Sequence, residues 1–389
     1  MSYLPRSDDL FGEPVPTRRS QAARTGVLPS QAIRKLIQDK EIFAEGKRWD
    51  PTTQVQPASL DLRLGPVGYR IRASFLPGEG RTVESKLAEL QYNEIDLTKG
   101  AVLETDCVYL VPLMERLKLR PAVSAIANPK SSTGRLDVFT RLIADGTNAF
   151  DYVPPGYQGP LYIEISPRSF SIAVRQGSRL NQLRLLRRTS RQQIEKRFVS
   201  DAGLEALHDE TPLVDRNLTI RNGLNLRVDL APAEDKLIGY KAKRYAGVVD
   251  VDAPGKYETR KFWERIYDED NGRLILDPHE FYILASKEQV VVPPNYAAEM
   301  APFDPMMGEY RVHYAGFFDP GFGMVDGKRR GAKAVLEVRS LDIPFVLEDG
   351  QIIGRLVYER LASTPDVLYG ADLKSNYQGQ GLKLSKHFI

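Results

Sequence analysis

The chain carries the same β-rich pattern twice, and this duplication limits the folds open to it more than any other feature. The segment AVLETDCVYLV (101–111) resembles RLILDPHEFYIL (273–284), and YIEISPRSFSIAVRQGSRLNQLRLL (162–186) resembles VLEVRSLDIPFVLEDGQIIGRLVY (335–358). Three anchor pairs share one spacing, since 282 − 109, 337 − 164 and 350 − 177 all give 173. A fixed interval held at three places marks a repeated supersecondary unit. Weaker agreement extends upstream, where PASLDLRLGP (57–66) faces GLNLRVDLAP (223–232). Each copy consists of short β-branched and aromatic runs broken by Pro and Gly, the pattern of a barrel or sandwich. The expected fold is therefore mainly β: two tandem barrel or sandwich units with a few short helices.

The boundaries follow from composition. Residues 1–26, rich in Ser, Arg, Pro and Asp, read as a flexible N-terminal tail. Repeat 1 spans 27–190 and opens on a short helix that Ser30 would cap and Ile33, Leu36 and Ile37 would line. A charged, helical connector (191–214) leads into repeat 2 (215–362), and a polar C-terminal segment (363–389) follows. With 54 Lys and Arg against 51 Asp and Glu, the net charge is only +3. That field is too weak to imply nucleic acid, so any phosphate binding must come from local clusters. The basic run Arg184–Arg197 reads as a solvated connector rather than a phosphate-facing patch. Cys107 is the only cysteine, which rules out a disulfide within one chain and favours a reducing compartment. It sits in an apolar run, where a buried inert thiol is expected. No run approaches the roughly 18 residues of a membrane span, and the N-terminus lacks a signal-peptide core. The expectation is a cytoplasmic protein that binds neither membrane nor nucleic acid.

Two segments carry polar chemistry. In repeat 1, NPKSSTGRLDVF (128–139) sets two adjacent hydroxyls between Lys130 and Arg135, a group suited to phosphate oxygens because charge-assisted hydrogen bonds are the strong ones. In repeat 2, HYAGFFDPGFG (313–323) places aromatics before an Asp-Pro-Gly turn, where they would wall a base. Taken singly, the first is an ordinary solvated loop and the second an ordinary hairpin.

Together they resemble a known family. Lys130-Ser131-Ser132-x-Gly-Arg135 resembles the phosphate-binding loop of dCTP deaminases, in the dCTP deaminase and dUTPase superfamily, and Ala315-Gly-Phe-Phe-Asp319-Pro-Gly resembles their base and deoxyribose hairpin. Ala334-Val335-Leu336-Glu337 is similar to the strand bearing the catalytic glutamate. Gln56-Pro57-Ala58-Ser59-Leu60-Asp61-Leu62-Arg63-Leu64-Gly65 is similar to the N-terminal signature. Tyr369, then Asn376-Tyr377-Gln378-Gly379-Gln380 and Ser385-Lys386, resemble the tail that closes over the triphosphate, with Asn376 standing where the family usually has Lys. The resemblance implies two tandem dUTPase-like units, each a distorted, jelly-roll-like β-barrel.

The departures are complementary. Opposite the Lys130–Arg135 loop, repeat 2 has Asp304-Pro305-Met306-Met307-Gly308-Glu309, with anions in place of both cations. Opposite Phe318-Asp319-Pro320-Gly321, repeat 1 has Val153-Pro154-Pro155-Gly156, without the carboxylate. In the superfamily, sites lie between subunits of a trimer, and double-length herpesvirus dUTPases resemble an arrangement in which two halves build one site. The expectation is one composite site from the repeat 1 loop, the repeat 2 hairpin, Glu337 and the tail.

What the resemblance implies chemically is hydrolysis of dCTP to dUTP and ammonia, supplying dUTP and dUMP for thymidylate synthesis. Glu337 would act as general base, and Ser131 and Arg135 would hold the water and developing charge. The Ala315 carbonyl would orient the 4-amino group, and Asp319 would bind the sugar 3′-hydroxyl. Lys130, Ser132, Tyr369, Tyr377 and Gln380 would clamp the triphosphate, with Mg²⁺ carried on phosphate oxygens. Zinc-type deamination needs a His or Cys followed by Pro-Cys-x-x-Cys, which one cysteine cannot supply. Glu164, at the fold position of Glu337, would be a structural relic. The resemblance also makes dTTP an inhibitor and a homo-oligomer reasonable. Two alternatives stay open: a dUTP pyrophosphatase, alone or combined with deamination and using Asp319, and a non-catalytic nucleotide-binding regulator.

Overall fold

The computed structural model describes residues 25–44, 49, 51–188, 197–233, 236–301, 310–313, 316–370 and 379–389. In repeat 1, strand Val108–Lys118 pairs antiparallel with Gln158–Pro167, setting Tyr109 opposite Ile165 and Leu110 opposite Glu164. In repeat 2, Phe281–Val290 pairs with Ala332–Ser340, setting Tyr282 opposite Val338 and Ile283 opposite Glu337. All four positions keep the interval of 173 seen in the sequence. The two tyrosines also do the same work: each phenol accepts a backbone N–H at 2.9 Å, from Glu104 in one repeat and Asp277 in the other.

The upstream alignment is corrected by two residues. Arg63 gives its backbone N–H and Nε to Glu115, and Arg227 gives the same two donors to Glu288. Arg63 therefore corresponds to Arg227, and Asp61 to Asn225, a two-residue shift from end-to-end pairing. Backbone and side-chain bonds to a buried carboxylate fix register more firmly than apolar letters do.

Each repeat is built from antiparallel sheets. One sheet of repeat 1 joins Gly26–Val27, Asn181–Arg187, Val123–Pro129 and Tyr152–Val153; the other centres on Val108–Lys118 and Gln158–Pro167. Repeat 2 repeats the plan with Leu224–Arg227, Ile352–Arg360, Tyr296–Ala301 and Phe317–Phe318, and a second sheet centred on Phe281–Val290 and Ala332–Ser340. The fold is thus mainly β with a few short helices.

The halves are not independent. The core of repeat 1 takes in Trp263, Phe281, Ile283 and Leu384 from beyond it. Strand Ile172–Val174 pairs in parallel with Val249–Asp250, across the junction. Phe388, next to the last residue of the sequence, packs among Phe170, Tyr257, Phe262 and Trp263. The C-terminal segment is consequently structural over its last residues and not merely a polar tail.

Four further expectations are revised. Gly26 and Val27 already pair with Arg187 and Leu186, so ordered chain begins inside the expected tail. Ser30 does not cap its helix; it is the first helical residue of Ser30–Gln38, after Pro29, and its hydroxyl donates to Asp366. Cys107 is only partly buried and lies 3.0 Å from Arg70 Nη2. Arg184 is fully buried rather than solvated. Within the expected connector, Asp201–Glu210 is helical and is capped by Ser200, whose hydroxyl accepts from Gly203 N at 3.2 Å.

Candidate active site

The repeat 1 loop is one turn of helix, Ser131–Gly134. The chain leaves the sheet at Lys130, whose N–H is bound by Leu180 O at 2.9 Å. Thr133 and Gly134 return their N–H groups to Lys130 O at 2.7 and 3.0 Å, which curls Ser131, Ser132 and Arg135 around one centre.

Against this turn lies the strand Ala332–Ser340. Its alternation is the cause: Ala332, Ala334, Leu336 and Val338 enter the repeat 2 core, so Val335, Glu337 and Arg339 face repeat 1. Val335 packs on the repeat 1 core, and Arg339 forms an ion pair with Asp137. Between them Glu337 is 7% exposed and rests on Gly134; a Cβ built there would stand 2.8 Å from the Glu337 Cδ. Only a glycine lets the carboxylate come so close. Burial raises the Glu337 pKa well above the ordinary carboxylate range, opposed by Arg135 and reinforced by Asp137.

The C-terminal residues complete the enclosure. Arg135 donates from Nη1 to Lys383 O and from Nη2 to Gln380 Oε1, both at 3.0 Å. Gln380 Nε2 donates to Lys333 O at 3.2 Å, so this amide bridges the two repeats. Ser385 Oγ donates to Ser132 O at 2.8 Å. Tyr369 binds Pro320 O through its N–H at 2.8 Å, and its ring lies 5.7 Å from that of Phe322.

The hairpin turns at Asp319-Pro320-Gly321, where Gly321 holds φ at 91° and its N–H binds Val292 O. Asp319 is buried and its pKa is pushed up to about 6 by desolvation, with Arg184 and Lys130 pulling it down and Asp61 pushing it up. Its Oδ1 has no hydrogen-bond partner. Lys130 forms an ion pair with Asp61. Burial together with the cations Lys130 and Arg179 lowers the pKa of Lys386, so positive charge is concentrated here.

Of the residues singled out in the sequence, the structure brings Lys130, Ser131, Ser132, Arg135, Glu337 and Gln380 around one turn, and Asp319 and Tyr369 around the adjoining hairpin. Ala315 and Tyr377 lie outside the described residues, as do Asp304–Glu309 and Asn376. Glu164 is buried on its own strand at the equivalent place, with its pKa raised by burial and countered by a Ser74 hydrogen bond and by Arg141. Sequence reasoning missed Arg179 and Arg184. An arginine between Leu183 and Leu185 in an otherwise apolar strand was the available signal.

Fold and side-chain placement define a class: a double-length, mainly β protein in which polar groups of two unlike copies of one unit meet. Comparison with known families goes further. The model for the 2′-deoxycytidine 5′-triphosphate deaminase N-terminal domain matches residues 24–190, and that for the C-terminal domain of the same enzyme matches residues 200–388. The chain belongs to the 2′-deoxycytidine 5′-triphosphate deaminase family. A dUMP-forming dCTP deaminase of Halobacterium salinarum is 33% identical over 175 residues, covering 43% of this chain and 85% of that protein. The dUMP-forming dCTP deaminase of Dictyoglomus turgidum is 25% identical over 211 residues, which is 54% of this chain but 100% of the relative, as duplication requires. The crystal structure of 2′-deoxycytidine 5′-triphosphate deaminase from Agrobacterium tumefaciens superposes with a TM-score of 0.81 at 52% identity, covering 87% of this chain and 99% of that one.

Proposed function

We propose that this chain deaminates dCTP hydrolytically at one site shared by its two repeats, with Glu337 as the proton carrier. One observation carries the reading: a buried carboxylate of repeat 2 lies against the Gly134–Arg135 turn of repeat 1, and its burial raises its pKa well above that of an ordinary carboxylate. Water entering the turn gives a proton to Glu337 as its oxygen adds to C4 of cytosine. Glu337 passes that proton to N3 of the ring, then carries the proton of the new C4 hydroxyl to the 4-amino nitrogen; the C4–N bond breaks, ammonia leaves and C4 becomes the carbonyl of a uracil protonated at N3. Arg135 and Ser131 hold the water and the charge that develops on the ring, a preorganised electrostatic contribution. Ala315 orients the amino group through its carbonyl.

Asp319 offers an unmatched acceptor to the sugar 3′-hydroxyl. Lys130, Ser132, Tyr369, Tyr377 and Gln380 hold the triphosphate, and the cations Lys386 and Arg179 add to that charge. Magnesium fits as a passenger of the triphosphate, neutralising its oxygens: the protein side is cationic here, and no cluster of three or more His, Cys, Asp or Glu stands ready to cage a metal among the described residues. Among those residues, no helix is long and apolar enough to cross a membrane. A cytoplasmic role in supplying dUTP or dUMP for thymidylate synthesis, with dTTP as an inhibitor, belongs to the same proposal.

The second reading, deamination followed by loss of pyrophosphate, is favoured by the relatives whose names specify dUMP. Incubation with dCTP and Mg²⁺, with and without a zinc chelator, separates the outcomes. Ammonia with dUTP supports the first reading, and ammonia with dUMP and pyrophosphate the second. No ammonia, or loss of ammonia on chelation of zinc, would sink both.

A further inference from the structure

Arg184 stands in strand Asn181–Arg187 of repeat 1, yet its side chain is fully buried in repeat 2. A buried guanidinium persists only where partners replace its water. Nη1 donates to Glu359 Oε2 at 2.7 Å and to Ala298 O at 3.2 Å, and Nη2 donates to Phe318 O at 3.4 Å. The guanidinium also stacks 3.9 Å from the Phe317 ring centroid. Arg184 thus grips both residues that precede Asp319 in the hairpin.

Toward Asp319 itself it behaves differently. Nη2 stands 3.9 Å from Asp319 Oδ1, within range of charge but beyond a hydrogen bond, and that oxygen has no other partner. The cation attracts the carboxylate without occupying the lone pairs a ligand hydroxyl would use. The pair Arg184 and Glu359 belongs to the junction alone, because the duplicated positions hold Val357 and Leu186.

We propose that Arg184 is a positioning residue for the nucleoside pocket: repeat 1 uses it to fix the Phe317–Asp319 hairpin of repeat 2 and to keep Asp319 an open, ionised acceptor for the sugar 3′-hydroxyl. The inference rests on the reading that Asp319 binds that hydroxyl. Three groups face Asp319: Arg184, Asp61 and Lys130. Arg184 is the leading influence that counters the desolvation of this carboxylate, whose pKa stands at about 6. Losing it raises that value and moves the acid limb of substrate binding upward.

The test compares dCTP with 2′,3′-dideoxy-CTP, which lacks the hydroxyl, across pH in steady-state kinetics of the full chain. Asp319→Asn comes first, and it should erase the preference for dCTP; if the preference survives, the role given to Asp319 is wrong and the inference falls with it. Given that loss, Arg184→Met should raise KM for dCTP by about tenfold, the scale of the net worth of one hydrogen bond. The dideoxy KM should barely move, kcat should change far less, and the acid limb of kcat/KM for dCTP should shift upward. Arg184→Lys should keep the limb and recover part of the KM. Should Arg184→Met, which leaves Glu359 only Arg197 as an ion-pair partner, unfold the protein, Arg184→Met with Glu359→Gln is measured instead. Equal losses on both substrates, or an unmoved limb, would show that Arg184 only welds the halves, and would overturn the proposal.

Discussion

Two glutamates at equivalent places show how neighbours decide chemistry. Glu337 and Glu164 are both buried on paired strands, and burial raises the pKa of each. Glu337 lies against the Gly134 turn of the other repeat, under the influence of Arg135 and Asp137; Glu164 meets Ser74 and Arg141 of its own repeat. Glu337→Gln is expected to lower kcat by about 10²–10⁴-fold, the usual worth of a positioned acid/base group, while Glu164→Gln leaves turnover nearly intact. The acid limb of kcat/KM should lie above the roughly 4.3 of an ordinary glutamate, because the base form is reached only at higher pH. Glu164→Gln should also raise the midpoint of thermal unfolding at neutral pH. A folded-state pKa above the unfolded value favours the folded state below the unfolded pKa, and that advantage fades as pH rises through the folded one. Removing the charge therefore helps near pH 7 and changes nothing in acid; a neutral-pH loss of stability would contradict the burial argument. The loop and the hairpin stood out in the sequence because the two copies differ there in opposite senses. Arg184 did not, since its partner Glu359 lies 175 residues away and a lone arginine in a strand reads equally as solvated.

At the scale of elements, the site depends on one short turn meeting one strand. Gly134→Ala leaves the turn's backbone bonds in place but drives a methyl into the Glu337 carboxylate. Because the far end of a side chain can move aside, thermal stability should change little. Activity should fall by about 10²-fold, the cost of displacing a reacting group by about an ångström. Unchanged kcat in this variant would mean that Glu337 is not held where proposed. The C-terminal segment separates two tasks in a similar way. Phe388→Ala empties part of an aromatic cluster and should cost about 1.5–3 kcal/mol of stability, seen in denaturant unfolding. Gln380→Ala should spare stability and impair turnover, because it frees Arg135 from the bridge to Lys333. The sequence showed this segment as a polar tail since apolar residues scattered through it, such as Leu382, Leu384 and Phe388, find their partners only in the folded protein.

For the whole molecule, the question is whether one chain suffices for one site. The repeat interval predicted two like barrels but said nothing of how they abut, because contacts between halves follow neither strand alternation nor turn chemistry. The structure supplies them within a single chain: Asn128 donates to Glu299 at 3.0 Å, Arg184 pairs with Glu359, Arg339 pairs with Asp137, and Ser385 reaches Ser132. Several of these groups are buried, where salt screens little, so the junction should hold at high ionic strength. Arg135→Ala and Glu337→Gln fall on opposite halves of the site, and each should inactivate the chain that carries it. Mixing or co-refolding the two variants should then restore nothing, since every chain still holds one damaged half. A site formed between chains would instead pair an intact loop with an intact strand in roughly a quarter of junctions and recover activity in proportion. Recovery on that scale would move the site from within the chain to a contact between copies; its absence, with both variants folded, leaves the two repeats of one polypeptide as the unit that performs the chemistry.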